Sequence, residues 1–302
     1  MRKIGVFSAF DGISIGQLAL DLVGIKSDYY ASELLTINGK PNPVIDIVKH
    51  HFPSTDFVGD ITQVDGYKYR GKVQLLIGGS PCQSFSNAGD RTGFDGKSGL
   101  LWHYVRLKEE MKPEYFFLEN VWMKQKWQDI ISEALGVKPI FINSKVATAQ
   151  NRPRLYWTNI PYTPIEDKGI VLGDVILGAV TGASKHGKAI PEHLRVPGGP
   201  KWKNIGWEFS PENKARCLVL SAGHYKNTQG EIKQITPEEA EALQTIPIGY
   251  TGVTGLCNTK RIEAIGNSWT TDVIVEAFFK NLPWVDKKKV SLRLKYLSSL
   301  TF

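Results

Sequence analysis

The stretch "VQLLIGGSPCQ" (residues 73–83) joins a mainly apolar run to two glycines, a proline and a cysteine. Continuous apolar runs are typical of strands covered on both faces, as in a parallel sheet. Because the carboxyl ends of such strands carry the chemistry of open α/β folds, Cys82 is predicted to lie at the functional edge of a sheet. A lone cysteine is more often a small buried apolar residue than a nucleophile, so the rest of the chain must decide.

Strand-like runs and helical patterns alternate over residues 1–160. The predicted strands are "KIGVFSAF" (3–10), "DYYASEL" (28–34), "VQLLIGG" (73–79), "YFFLENV" (115–121), "PIFINSKV" (139–146) and "RLYWTNI" (154–160). The predicted helices cover 15–23, 44–52, 99–111 and 127–135. This alternation predicts an α/β domain with a parallel sheet and helices on both of its faces.

Residues 161–233 differ in composition, because they are rich in Gly, Pro, Lys and Trp and lack strong periodicity. Ten Lys and Arg against seven Asp and Glu give this segment a net charge of +3, and we predict a small separate lobe. Residues 234–302 are predicted to return to the first domain. They begin with a helix in "TPEEAEALQTIP", where Thr236 is the N-cap and Glu239 completes a capping box. A last helix is predicted in "TDVIVEAFFKNL".

The bulk composition indicates a globular protein with an anionic partner. The 302 residues are 42% hydrophobic and 22% charged, and the net charge of +7 gives a pI near 9.1. The three cysteines are widely spaced and form neither a disulfide framework nor a C-x-x-C metal site. Residues 1–10 contain no long apolar stretch, and no window reaches the ~18 apolar residues of a membrane span. We therefore expect a cytoplasmic protein without a metal or a membrane partner.

A glycine turn and two acidic residues predict a nucleoside-containing cofactor. "FDGISIG" (10–16) follows the first strand and precedes a helix, where backbone N–H groups can approach a ligand. Glu33 ends the second strand and could accept hydrogen bonds from a ribose, and Asp60 could meet an adenine amino group. The turn is not G-x-G-x-x-G, which disfavours a nicotinamide-dependent oxidoreductase. The alternative is a tight turn beside two solvated acids.

Three further groups of polar residues occur at strand ends or turns. Glu119 and Asn120 end the apolar strand "FFLENV", and Arg152 and Arg154 alternate in "QNRPRLYW". "IGNSW" (265–269) is a polar turn before the last helix. Each group also has an ordinary structural explanation, namely a helix cap, a solvated sheet edge or a simple turn.

In this order the segments resemble the motifs of the DNA cytosine-5 methyltransferases. "FDGISIG" resembles the cofactor loop, "GGSPCQ" the nucleophile motif, "ENV" the catalytic acid and "QNRPR" the Q-x-R-x-R segment. "ITPEEAEALQTIP" and "IGNSW" resemble the two motifs that follow the target-recognition region. "DYYASE", "FVGDI" and "INSKVATAQNRPRLYW" are also similar to the de novo-type members. The resemblance covers nearly all of the chain outside 161–233.

The resemblance implies a Rossmann-like S-adenosylmethionine methyltransferase sheet, with 161–233 as the target-recognition lobe. The implied catalytic residues are Cys82, Glu119, Arg152 and Arg154. The implied S-adenosylmethionine contacts are Phe10, Asp11, Gly12, Ile13, Glu33, Leu34, Asp60, Ile61, Gly78, Pro81, Leu101, Asn267, Ser268 and Trp269. The expected DNA contacts are Gln83, Ser84, Arg91, Lys201, Lys203, Lys214 and Arg216.

The implied reaction is methyl transfer to C5 of a flipped-out cytosine in double-stranded DNA, through a covalent bond between Cys82 and C6. Glu119 would act on the N3 edge when protonated, and the arginines on the O2 edge. The resemblance also allows a restriction endonuclease as a partner, and we expect a monomer on DNA in a bacterial or phage setting. Alternatives that stay open are a tRNA cytosine-5 methyltransferase and a catalytically silent DNA-binding relative. The lobe is predicted to read a site of about four base pairs or fewer.

Overall fold

The computed structural model describes residues 3–81, 97–189, 202–218 and 223–287. Its main sheet contains β1 (Ile4–Ala9), β2 (Ser27–Ser32), β5 (Asp56–Phe57), β6 (Leu75–Gly79), β7 (Tyr115–Val121), β8 (Ile140–Asn143) and β9 (Pro153–Thr158). A small hairpin, β3 (Thr36–Ile37) and β4 (Lys40–Pro41), follows β2. The strand order is β5-β2-β1-β6-β7-β9-β8, and only β9 runs antiparallel to its two neighbours.

Helices cover both faces of this sheet, as the sequence predicts. They are α1 (Ile15–Leu22), α2 (Val44–His51), α3 (Leu101–Met111) and α4 (Gln125–Leu135), joined near the C-terminal end by α7 (Asn258–Gly266) and α8 (Thr271–Ala277). Successive β6 residues alternate between two hydrophobic clusters, because Ile77 packs with α1 and α8 whereas Leu76 packs with α3. Each fully buried apolar side chain of this size contributes about 1.5–3 kcal/mol. The predicted α/β architecture is therefore confirmed.

A second sheet follows the main one along the chain. It consists of β10 (Ala179–Ala189), β11 (Trp202–Phe209), β12 (His224–Asn227) and β13 (Ile232–Gln234), in the antiparallel order β11-β10-β12-β13. The residues just before it form a short helix, α5 (Leu172–Val175), and Leu172 packs into the core of the main sheet. The boundaries 161–233 stay a prediction, although all four strands lie between Ala179 and Gln234.

The chain then returns to the main sheet through α6 (Pro237–Leu243). The predicted capping box is present: Glu239 N donates to Thr236 Oγ1 at 3.2 Å, and Thr236 N donates to Glu239 Oε2 at 2.7 Å. The last helix is shorter than predicted, because α8 ends where Phe278 leaves the helical region at φ −131° and a single 3-10 turn follows. None of the described helices is long and apolar enough to cross a lipid bilayer.

Candidate active site

Several segments that are far apart in the sequence meet around one cavity of about 690 Å³. We divide its lining into two walls. The glycine wall comprises 10–13, Glu33 and 267–269, and the arginine wall comprises Glu119, Asn120, Arg152 and Arg154. Pro81, the last described residue before Cys82, also lines the cavity. Cys82, Gln83, Ser84 and Arg91 lie outside the described residues.

The turn after β1 is held in an unusual backbone conformation. Phe10, Gly12 and Ser14 all have positive φ, between 56° and 58°, and non-glycine residues adopt this region rarely. Asp11 fixes the turn by accepting hydrogen bonds from the Ser14 hydroxyl and from the Tyr29 hydroxyl, the latter at 2.8 Å. Burial raises the pKa of Asp11, and the hydrogen bonds from Ser14, Ser8 and Tyr29 oppose that increase. The turn is therefore preformed at the cavity.

Glu33 closes the glycine wall from the end of β2. Its Oε2 accepts from Gly12 N at 2.9 Å, and its Oε1 accepts from Asn42 Nδ2 at 3.3 Å. Burial raises the pKa of Glu33, although the Gly12 N–H favours its charged form. Asn42 and the β3–β4 hairpin were not among the predicted site residues, although the hairpin also lines the cavity through Ile37 and Lys40. The signal was present in the Asn-Gly pair at 38–39, which is typical of a tight hairpin turn.

The arginine wall begins at the end of β7. Asn120 is 1% exposed, and its Nδ2 donates to Ser80 Oγ at 2.8 Å. This hydrogen bond ties β7 to the turn that leads from β6 into Cys82. Gly79 has no room for a side chain, because a Cβ there would lie 2.8 Å from Trp269 Nε1 and 3.3 Å from Glu119 Oε2. The glycine therefore lets β6 approach both walls.

Glu119 and Arg154 form an ion pair inside the cavity. Arg154 Nε lies 2.7 Å from Glu119 Oε1, and both side chains are 11% exposed. The pairing follows from the sheet register. Strand β9 runs antiparallel to β7 and places Arg154 opposite Val121, and Glu119 lies two residues from Val121 on the same face of β7. The carboxylate and one guanidinium thus present adjacent acceptor and donor groups to any molecule in the cavity.

Arg152 has a different environment from Arg154. It is 3% exposed, and it donates to the carbonyl oxygens of Leu218 at 3.1 Å, Gly266 at 2.9 Å and Ser268 at 2.7 Å. Burial lowers the pKa of Arg152, and the neighbouring charge of Arg154 adds to this effect. Arg152 thereby joins its own segment to the second-sheet region and to the glycine wall.

Sequence and structure comparisons show the family and the fold of the chain. A family model described as C-5 cytosine-specific DNA methylase matches residues 4–160. The chain belongs to the C-5 cytosine-specific DNA methylase family. It is 34% identical over 169 residues to the orphan methyltransferase M.SPRI of Bacillus phage SPR, covering 52% of this chain and 37% of that protein. It is 28% identical to the Type II methyltransferase M.SsoII of Shigella sonnei, covering 72% and 65%. The chain thus spans about a third to two thirds of these curated relatives.

The fold is shared with solved structures. The Entamoeba histolytica methyltransferase EhMeth superposes with a TM-score of 0.65 at 14% identity, covering 91% of this chain and 97% of that one. At this identity the likeness concerns the fold alone. Because residues 4–160 carry the family match, the second sheet lies outside the matched segment.

Five residues predicted to contact the cofactor are described but do not line the cavity. They are Leu34, Asp60, Ile61, Gly78 and Leu101. Leu34 is 47% exposed, whereas Ile61 and Leu101 belong to the core cluster beside α3. The side chain of Asp60 accepts from Thr62 N at 2.9 Å and caps a short 3-10 turn.

The predicted DNA contacts require one correction. Lys214 is 5% exposed, and its ammonium donates to the carbonyl oxygens of Lys145 at 2.9 Å, Thr148 at 3.3 Å and Ile170. Its three donors are therefore used inside the protein, and Lys214 has a structural role. Arg216 is half-buried and lies 3.3 Å from Glu208 of β11. Lys203 lies on β11, but its side chain is outside the described part, as is all of Lys201.

Proposed function

We propose that the chain transfers a methyl group from S-adenosylmethionine to C5 of cytosine in double-stranded DNA. The observation that carries the proposal is the shared cavity. One wall holds a carboxylate beside a preformed glycine turn, and the other holds the Glu119–Arg154 ion pair. Membership of the C-5 cytosine-specific DNA methylase family supports the same reaction.

The glycine wall fits S-adenosylmethionine. Glu33 is positioned to accept hydrogen bonds from the ribose hydroxyls, while Phe10, Ile13 and Trp269 offer apolar surface to the adenine. The cavity of about 690 Å³ is within the usual range for a small-molecule site. When bound, the cofactor supplies an electrophilic methyl group on its sulfonium.

Cys82 is proposed as the nucleophile, since a thiolate is the strongest nucleophile among the side chains near neutral pH. Its attack forms a sulfur–C6 bond and moves a pair of electrons towards C5, which then takes the methyl group. Loss of the C5 proton returns an electron pair to the ring, and the sulfur–C6 bond breaks to release the thiolate. Pro81 lines the cavity immediately before Cys82, which supports this assignment.

Glu119 and Arg154 would hold the cytosine ring during this sequence. A protonated Glu119 can donate to N3 and accept from the exocyclic amine, so that electron density moving into the ring is stabilised. Arg154 can donate to O2 from the neighbouring position, because its Nε already lies 2.7 Å from Glu119. Arg152 is proposed to hold the walls together rather than to touch the base, because three carbonyl oxygens occupy its guanidinium.

DNA is proposed to lie across the mouth of the cavity and the second sheet. A cytosine inside a duplex cannot reach the arginine wall, so it must leave the base stack at a cost of a few kcal/mol. Lys201, Lys203 and Arg216 are the proposed contacts that offset this cost and read the target. A bacterial or phage cytoplasmic setting, a monomeric state on DNA and a cognate restriction endonuclease stay predictions.

Methyl transfer should be measured on duplex DNA and on tRNA in parallel. Purified protein is incubated with isotopically labelled S-adenosylmethionine and each nucleic acid, which is then digested to nucleosides for mass spectrometry. We expect labelled 5-methyl-2′-deoxycytidine from DNA only. Labelled 5-methylcytidine from tRNA with none from DNA would favour the RNA alternative, and label in neither would contradict the proposal.

A further inference from the structure

We propose that Cys217 is a positioning residue for the arginine wall, whose sulfur holds the guanidinium of Arg154 beside Glu119. The inference rests on the function proposed above, because Arg154 and Glu119 are the groups that would meet the cytosine. No motif surrounds Cys217 in the sequence, and neither the family match at 4–160 nor the predicted site includes it.

The sulfur of Cys217 contacts both arginines of the wall. Arg152 Nη1 donates to Cys217 Sγ at 3.5 Å, and Arg154 Nη2 donates to it at 3.9 Å. The same Arg154 guanidinium is held by Glu119 at its Nε, and its Nη1 donates to Pro153 O at 2.8 Å. A planar guanidinium whose three nitrogens have different partners keeps one orientation. Cys217 supplies the contact on the side facing the second sheet.

The position of the sulfur is set by the backbone. Ala215 N donates to Ala149 O at 2.7 Å, and Asn151 N donates to Ala215 O at 2.9 Å, so the segment carrying Cys217 is bonded on both sides of Gln150. Arg216, which immediately precedes Cys217, forms an ion pair with Glu208 of β11 and not with a residue of the arginine wall. Cys217, which lies between β11 and β12 in the chain, therefore connects the region of the second sheet to the guanidinium of Arg154.

The charge around Cys217 strengthens its role as an acceptor. Burial raises the pKa of the Cys217 thiol, but the charges and hydrogen bonds of Arg152 and Arg154 outweigh it, so the pKa is lower than that of an ordinary thiol. Glu119 and Tyr156 also interact electrostatically with Arg152, and burial raises the pKa of Tyr156 so that it stays neutral. Glu119 is one negative charge beside the two arginines. Ionisation of Cys217 would place a second one beside the guanidinium groups of Arg152 and Arg154.

Two substitutions and a matched control test this role in turnover. Cys217→Ala should lower kcat about tenfold or more, because small misplacements of catalytic groups are costly, while KM for S-adenosylmethionine changes less than about twofold. Cys217→Ser should recover part of the loss, since a hydroxyl is still an acceptor. The ratio of wild-type to Cys217→Ser kcat should rise with pH, because only the thiol ionises in that range. Cys257→Ser, at an exposed cysteine, should match the wild type.

A second measurement does not depend on turnover. The rate of iodoacetamide alkylation of the Cys217 peptide is followed against pH by mass spectrometry. We expect a midpoint below the ordinary thiol value of about 8.5, moving upward in Arg154→Gln. If the wild type transfers no methyl group, the proposed function fails, and the alkylation profile still tests the contact. An ordinary midpoint that Arg154→Gln leaves unchanged would overturn the inference. So would a kcat for Cys217→Ala within about twofold of the wild type.

Discussion

The two walls of the cavity are built in different ways. In the glycine wall, the turn after β1 contacts the end of the neighbouring strand β2, because Gly12 N donates a hydrogen bond to Glu33. The arginine wall depends on distant contacts, because Arg152 reaches Leu218, 66 residues away, and Gly266, 114 residues away. The part of the first wall at 10–13 and Glu33 can form with the main sheet alone, whereas 267–269 follow the second sheet along the chain. The second wall requires the region of the second sheet to be docked.

This difference predicts that substitutions in the two walls have separable effects. Changes in the glycine wall should weaken cofactor binding, and changes in the arginine wall should slow methyl transfer at saturating cofactor. Arg152 is the exception, because it contacts both walls and the second-sheet region.

Glu119→Gln should have the largest effect on turnover. An amide keeps the shape of the side chain but cannot supply a carboxylic acid proton, so kcat should fall by about 10²–10⁴. The dissociation constant for S-adenosylmethionine, measured by calorimetry, should stay close to the wild-type value. A matching loss of cofactor affinity would show that the walls do not act separately.

Arg152→Met should lower the free energy of unfolding by about 3 kcal/mol, measured by urea denaturation. The substitution retains much of the buried volume but leaves the carbonyl oxygens of Leu218, Gly266 and Ser268 without their donor. Both cofactor affinity and kcat should fall. Unchanged stability would mean that Arg152 does not join the walls.

Glu33→Gln should affect the glycine wall alone. It replaces a charged acceptor by a neutral one, so S-adenosylmethionine should bind about tenfold more weakly, in line with ~1.5 kcal/mol for a hydrogen bond to a charged group. The value of kcat at saturating cofactor should be retained. Asn42→Ala removes the amide that donates to Glu33 at 3.3 Å, and it should weaken S-adenosylmethionine binding by a smaller factor than Glu33→Gln. A large fall in kcat with unchanged affinity for S-adenosylmethionine would contradict the role of the glycine wall in cofactor binding.

Asp272→Asn should have the smallest effect on cofactor binding and turnover, since Asp272 lines neither wall. Burial raises its pKa from 3.8 to about 6, against the opposing effect of Lys168. The folded state therefore binds the proton more tightly than the unfolded state, and this stabilisation is lost as the pH rises from about 4 to about 6. Relative to the wild type, the asparagine variant should gain up to about 2 kcal/mol between those pH values, measured by denaturation. If the free energies of unfolding of the variant and the wild type differ by the same amount at both pH values, the raised pKa of Asp272 is contradicted.

The sequence could predict the main sheet and most of the glycine wall because their signals are local. The apolar run of β6, the turn at 10–16 and the capping box at Thr236 each occupy adjacent residues. The second sheet was missed because its strands are rich in polar residues, and because glycines interrupt β10 and β11. The occupied donors of Lys214 and Arg152 could not be predicted either, because the carbonyl groups that bind them come from other segments.

Cys82 is proposed to bond to the cytosine that receives the methyl group. The most direct measurement uses a duplex with 5-fluorodeoxycytidine at a site first located by bisulfite sequencing of cells expressing the chain. Fluorine at C5 leaves no proton to remove, so the sulfur–C6 bond should persist after methyl transfer. With S-adenosylmethionine present, we predict a stable protein–DNA adduct, mapped by mass spectrometry to the Cys82 peptide and absent in Cys82→Ala. An adduct on another residue, or methylated DNA formed by Cys82→Ala, would contradict the account.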